Sequence, residues 1–251
     1  MNKKKIIVSV IDNIKTIIGA LLIAIIIRSL IIQPFYIPSS SMEPTLLIGD
    51  RIFVSKYTYG YSKHSFPFSP NIYEKRIFYS KPERGDLVVF KTPSDNRTDY
   101  IKRLIGLPGD EIQFINGEIF INNKSITRNP IIINKPIRCG KSNLNVKAYK
   151  ETLPNGRSHV AVYNKQGTLL NSQIFKVPDN HFFLLGDNRD CSKDSRYLDS
   201  VGYVSNINLV GKAKIIFFSN DTVKSSMLKF WNLKDSFRTN RLFTYIKWET
   251  K

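Results

Sequence analysis

Histidine and cysteine are scarce in this chain, and their scarcity removes most metal and triad chemistry before any motif is read. The three histidines, His64, His159 and His181, stand far apart in unrelated contexts, so neither a zinc site nor a His-based triad has a local signature. The two cysteines, Cys139 and Cys191, give no metal-ligand spacing. Two free thiols are expected; a bridge is open only if the domain lies outside the cytosol. Acidic residues are also few, 20 against 38 Lys and Arg, for a formal net charge of +18. Such a surplus expects an anionic neighbour. No basic run with interleaved aromatics follows a nucleic-acid motif, so anionic membrane lipid is the expected partner and nucleic acid is not. A composition rich in Lys, Ile and Asn accounts for part of the same surplus. With 42% hydrophobic and 12% aromatic residues, a wholly disordered chain is excluded. Internal repeats, metal motifs and cofactor motifs are absent from the sequence.

Long apolar runs are equally few, since one segment near the N-terminus stands alone. Residues 1–15 are basic, carrying Lys3, Lys4, Lys5 and Lys15, and Ile17 to Ile27 is then apolar apart from its glycine. With its flanks the segment, taken as 16–33, reaches about 17 residues, the lower limit for a spanning helix. Arg28, near one end, reaches the headgroups along its own stem. Gln33-Pro34-Phe35-Tyr36 offers no A-x-A-like cleavage site, so an uncleaved anchor is expected, with the lysine-rich end cytosolic. A buried core helix is the competing reading, weakened by the lack of a polar face.

Beyond the anchor the pattern is mainly β. Strand-like runs occupy Arg51–Lys56, the stretch after Arg84-Gly85-Asp86, Tyr100–Gly106, Phe182–Leu185 and Leu209–Phe218. Asn116-Gly117, Asn122-Asn123 and Asn155-Gly156 predict hairpin turns. Residues 57–83 read as a long loop, and Asn220 to Lys251 as a basic, aromatic tail placed on anionic lipid. The expected organisation is a catalytic β domain from 34–115 and 178–219, an inserted β region at 116–177, and the tail at 220–251.

Two stretches carry chemistry. Gln33 to Asp50 sets three serines, Ser39, Ser40 and Ser41, between Pro38 and Pro44, a pattern for an irregular, held-open loop. Alone it fits a Ser/Pro linker as well as a site, because a serine hydroxyl needs a base to act as a nucleophile. In the second, alternation puts Tyr100, Lys102 and Leu104 on one strand face. A lysine desolvated there loses its proton readily and can take one from a serine. A solvated lysine paired with a carboxylate fits the same residues.

Taken together, Pro38-Ser39-Ser40-Ser41-Met42-x-Pro44-Thr45, Arg84-Gly85-Asp86, Tyr100-Ile101-Lys102-Arg103 with Gly106-x-Pro108-Gly109-Asp110, and Gly186-Asp187-Asn188-Arg189-Asp190 with Ser192-x-Asp194-Ser195-Arg196 resemble the bacterial type I signal peptidases. Four motifs in this order behind an N-terminal anchor are specific; the resemblance runs from the anchor to about Phe218. It implies a Ser–Lys dyad hydrolase on an antiparallel, barrel-like β fold behind one transmembrane helix. Ser41 matches the nucleophile and Lys102 the general base. Ser39 and the Ser41 N–H match the oxyanion hole. Ser192 matches the hydroxyl that orients the lysine, with Asp194 and Arg196 as a supporting salt bridge. Phe35, Ile37, Pro38, Met42, Tyr100 and Ile101 match shallow pockets for small residues before the cut, as an Ala-x-Ala signal requires.

The implied substrates are preprotein signal peptides, with no cofactor or metal. The implied location is the bacterial inner membrane, single-pass, with the catalytic domain periplasmic. Ser40 departs from a common glycine, which matters if that position needs a positive φ, and Cys191 departs from a common asparagine, leaving a reactive thiol open. A self-cleaving repressor with a similar dyad would need a DNA-binding domain where the anchor stands. A membrane-tethered β module binding anionic partners would make Ser41 and Lys102 dispensable.

Overall fold

The isoleucine-rich N-terminal segment forms one helix, α1 (Lys3–Leu30), in which the backbone N–H and C=O groups pair within the segment. The computed structural model describes residues 3–71, 74–140, 142–164, 169–221, 237–246 and 249–250. Within α1, Ser9–Leu30 is long and apolar enough to cross a membrane, and its side chains are exposed apart from those at its C-terminal end, where Ser29 is buried. At about 1.5 Å per residue its 22 residues match a hydrocarbon core of roughly 30 Å. The helix is longer than the apolar run because its basic first turns continue the same geometry.

The rest is antiparallel β, as the mainly β reading expected. Strand β1 (Ile32–Tyr36) follows α1 after a single residue and pairs with β2 (Asp50–Ser55). Next in order come Leu209–Ser219, β3 (Leu87–Lys91), β4 (Asp99–Gly106), His181–Leu185 and Val204–Ser205. The run Leu87-Val88-Val89-Phe90 is buried throughout. Its period of two divides it between two cores: Leu87 and Val89 join Ile37, Met42, Leu46 and Ile52, while Val88 and Phe90 join Leu104, Phe182 and Leu184. Strand β4 continues this division, with Ile101 packed on the first core and Tyr100 on the second. The serine loop packs on the first of these cores through Met42 and Leu46.

Besides a two-stranded pair, Ile137–Cys139 with Ser142–Leu144, two four-stranded sheets form mainly from the chain between β4 and His181. One comprises Phe175–Lys176, Glu111–Ile115, Glu118–Ile121 and Lys124–Ser125. The other comprises Glu249–Thr250, Arg157–Asn164, Val146–Thr152 and Thr127–Ile131. The three expected hairpins form, at Ile115↔Glu118, Ile121↔Lys124 and Thr152↔Ser158. Asn116, Gly117, Asn122 and Asn123 all adopt the positive φ that tight hairpin turns require. The 57–83 stretch carries single-turn helices at Tyr57–Tyr59 and Lys63–Ser65 and a bridge between Tyr61 and Ile77.

One expectation is corrected. Cys139 and Cys191 are not free thiols; they form a disulfide with a Cα–Cα distance of 5.5 Å. The Arg138 N–H donates to Glu43 Oε2 at 2.8 Å, and the Arg138 carbonyl accepts from Asn188 Nδ2 at 2.8 Å. Those two bonds hold the short strand Ile137–Cys139 against the loop that carries Cys191. In the tail, the guanidiniums of Arg238 and Arg241 turn onto the buried Asp50, at 4.0 Å and 2.5 Å, and Arg238 also reaches Asp221. Lys224, Lys229, Phe230, Trp231, Lys234, Lys247 and Trp248, which carry most of the lipid reading of the tail, lie outside the described residues.

Candidate active site

Local sequence dictates an open serine loop. Pro38 and Pro44 lack N–H groups, and the segment between β1 and β2 is closed at its base by Ile37 N–H to Asp50 O and Gly49 N–H to Ile37 O, at 2.9 and 3.0 Å. From the other side the loop after His181–Leu185 pins it. Asn188 N–H donates to Ser41 O at 3.1 Å and Asn188 Nδ2 to Ser40 O at 3.2 Å. Met42 and Leu46 anchor the loop in the core beneath.

The result brings Ser41 and Lys102 together. Lys102 Nζ lies 2.6 Å from Ser41 Oγ, and Ser39 Oγ lies 3.3 Å from Ser41 Oγ on the outer side. Lys102 is 3% exposed. Burial pushes its pKa down to about 8; Asp194 and Asp187 pull it upward, and Arg196 pushes it down. Tyr100 lies on the same strand face, its ring centroid 5.5 Å from Lys102 Nζ, as alternation along β4 predicts.

Ser192 Oγ donates to Asp194 Oδ2 at 2.7 Å, and Asp194 accepts from Arg196 Nε at 2.8 Å, Arg196 Nη2 at 2.9 Å and Gly186 N–H at 3.0 Å. Burial alone raises the pKa of Asp194, but the Arg196 guanidinium and these donors outweigh it and hold the carboxyl below its ordinary value. Asp194 therefore presents a fixed negative charge that acts on Lys102. Phe35, Ile37, Pro38, Met42, Tyr100 and Ile101 line one cavity of about 410 Å³ that opens beside Ser39, Ser41 and Lys102. Nine of the twelve expected site residues line this cavity; Ser192, Asp194 and Arg196 form a network of their own, in which the Ser192 hydroxyl goes to Asp194 and not to Lys102.

Ser40 causes no strain, because its backbone does not enter the positive-φ region. Its Oγ lies 3.6 Å from Cys191 Sγ, and with that sulfur in the disulfide the reactive thiol is removed.

Sequence reasoning missed the support behind the site. Arg103, next to Lys102 but on the other strand face, donates from Nε and Nη2 to the two carboxylate oxygens of Asp187, both at 2.7 Å, and Thr45 donates to Asp187 at 2.5 Å. Beyond it, Arg189 grips Glu151 at 3.0 and 2.5 Å, and Tyr163 donates to Glu151 at 2.5 Å. All four charged groups are buried. Asp187 and Arg189 belong to the quoted motif, whereas Glu151 sits in Val-Lys-Ala-Tyr-Lys-Glu-Thr, which carries no signal.

Comparison with known proteins follows this geometry. The family described as signal peptidase, peptidase S26, matches residues 10–218. Over 241 residues the chain is 42% identical to signal peptidase I of Rickettsia conorii (strain ATCC VR-613 / Malish 7), covering 88% of this chain and 87% of that protein. Over 238 residues it is 40% identical to signal peptidase I of Rickettsia prowazekii (strain Madrid E), covering 88% of each. A crystal structure of a signal peptidase I from Enterococcus faecalis V583 is 24% identical, with a TM-score of 0.32, over 53% of this chain and 97% of that one.

Proposed function

The chain belongs to the signal peptidase family, peptidase S26, and from that premise we propose that it is a membrane-anchored endopeptidase that removes N-terminal signal peptides by a Ser–Lys dyad. The observation that carries the dyad is the 2.6 Å contact between Lys102 Nζ and Ser41 Oγ in a place where the lysine pKa falls to about 8.

Neutral Lys102 takes the Ser41 proton as Oγ attacks the scissile carbonyl. The Ser39 hydroxyl and the Ser41 N–H receive the oxyanion. The Lys102 ammonium then gives its proton to the leaving amine, and the mature protein departs. Lys102, neutral again, activates a water that hydrolyses the ester on Ser41. Asp194 keeps the ammonium tolerable while it exists, and Ser192 and Arg196 fix Asp194.

The cavity bounded by Phe35, Ile37, Met42 and Ile101 takes small residues before the cut, because overfilling such a space costs roughly 1–3 kcal/mol. With α1 in the bilayer and its lysines cytosolic, the β domain lies on the periplasmic side of the inner membrane. The Cys139–Cys191 disulfide suits that oxidising location. Incubating the purified chain with a preprotein and sequencing the new N-terminus tests this reading. Cleavage is expected after an Ala-x-Ala-type sequence and to vanish with Ser41→Ala; a Ser41→Ala protein that cuts normally refutes it.

A further inference from the structure

Among the described residues, the strands Ile137–Cys139 and Ser142–Leu144 pair only with each other. Two strands alone are marginal in water, and Ile137 is the one buried side chain in this hairpin, packed on Ala148 and Val162. Arg138 adds a partly exposed ion pair with Asp221 at 3.2 Å. Yet the hairpin lies against both loops that build the candidate active site, and the Cys139–Cys191 disulfide is its covalent tie to them.

From the hairpin side, Gly140 N–H donates to Ser40 Oγ at 3.4 Å and Arg138 N–H to Oε2 of the buried Glu43 at 2.8 Å. The hairpin thus holds the serine loop on either side of Ser41. From the other side, Cys191 N–H donates to Asn188 O at 3.2 Å. Asn188 in turn donates its N–H to Ser41 O, and its side-chain amide to Ser40 O and Arg138 O. Cys191 also lines the cavity beside Ser39, Ser41 and Lys102. One sulfur–sulfur bond therefore closes a ring of contacts that runs from the hairpin through the serine loop and Asn188 back to Cys191.

Both cysteines are half-buried, so the bond lies within reach of a thiol from solvent. We propose that Cys139–Cys191 is a thiol–disulfide exchange site, with a dithiol as its reaction partner, and that its redox state sets the activity of the Ser41–Lys102 site. One thiolate of the dithiol attacks a sulfur of the bridge, forming a mixed disulfide and releasing one protein thiolate. The second thiolate then attacks the mixed disulfide, and the partner leaves as its own disulfide. Two electrons pass from the dithiol to the bridge, and its two protons end on Cys139 and Cys191. With the bond open, the hairpin keeps only its weak anchors, Ser40 and Glu43 lose fixed donors, and the Cys191 wall of the cavity is released. The chain is slow while reduced and reaches its full rate once the β domain is oxidised. This inference rests on the peptidase reading of the site.

The test compares the full chain in detergent, oxidised or reduced with dithiothreitol, on a preprotein without cysteine and below the Tm of the reduced form. Maleimide labelling counts the thiols, and hydrogen exchange reads the Gly140 and Asn188 amides without any cleavage. The reduced chain is expected to show two labelled thiols, unchanged far-UV circular dichroism and faster exchange at both amides. Its kcat/KM is expected to fall at least about tenfold and to recover on reoxidation with glutathione disulfide. Cys139→Ser/Cys191→Ser is expected to be as slow as the reduced chain and indifferent to dithiothreitol. A reduced chain that cuts within about twofold of the oxidised one, or a bridge that stays unlabelled in excess dithiothreitol, overturns the proposal. Loss of rate together with the β signal in circular dichroism assigns the bridge to stability alone and overturns it as well. An oxidised chain that cuts nothing counts against the peptidase reading instead; amide exchange unchanged on reduction then overturns the present inference separately.

Discussion

Gly186 and Ser192 touch so closely that a side chain at residue 186 is excluded. A Cβ built on Gly186 lies 2.2 Å from Ser192 Oγ and 2.6 Å from Ser41 O. The missing side chain is thus what lets the Ser192–Asp194 pair approach the serine loop. Gly186→Ala is expected to push Ser192 and the Ser41 backbone apart and lower kcat/KM by about 10²-fold, a scale reached by 1 Å misplacements. Steady-state cleavage of a preprotein by the folded variant measures this, and a rate within twofold of wild type contradicts it.

The disulfide fastens the strand Ile137–Cys139 to the loop that supplies Ser192. It spans 52 residues, for which the chain-entropy account assigns about 4 kcal/mol. Cys139→Ser/Cys191→Ser is therefore expected to lower Tm by several degrees, and dithiothreitol to lower the wild-type Tm comparably. Calorimetry with and without reductant reads both effects. Alkylation of both thiols in unreduced protein would contradict the bridge.

The sequence pattern made the strands and hairpins legible where local chemistry decides them. The run Leu87–Phe90 has no polar residue to place in water, and Asn116-Gly117 has few alternatives to a tight turn. The placement of Ser41 and Lys102 was legible through the motifs around them together with alternation along β4. The Arg189–Glu151 pair was not, because its partners stand 38 residues apart and Glu151 sits among ordinary strand residues. The disulfide was missed for the same reason. Nothing near Cys139 signals that Arg138 is held by Glu43 and Asn188, and that tertiary contact is what brings the sulfurs together. The inward turn of Arg238 and Arg241 onto Asp50 was not legible either, because the partners stand nearly two hundred residues apart in sequence.

Lys102 is expected to reduce stability in exchange for activity. Its pKa falls from 10.5 to about 8 in the folded protein, chiefly through burial. Between those values folding releases the proton, so this residue's contribution rises with pH; below about 8 the fold must hold a buried ammonium and the full penalty applies. Lys102→Met is expected to be more stable than wild type at pH 7, by on the order of 1–3 kcal/mol, with the advantage shrinking as pH approaches 10. Its cleavage rate should fall at least ~10²–10⁴-fold. Urea unfolding at several pH values checks the first part, and a variant less stable than wild type at pH 7 would contradict it.

The central claim is that neutral Lys102 is the base for Ser41, and the pH dependence of wild-type kcat/KM tests it most directly. The predicted profile rises tenfold per pH unit in the acidic range, bends at about 8 where Lys102 loses its proton, and levels above. A profile that is flat from pH 6 to 9, or that bends near the ~6.5 of an ordinary histidine, would contradict it.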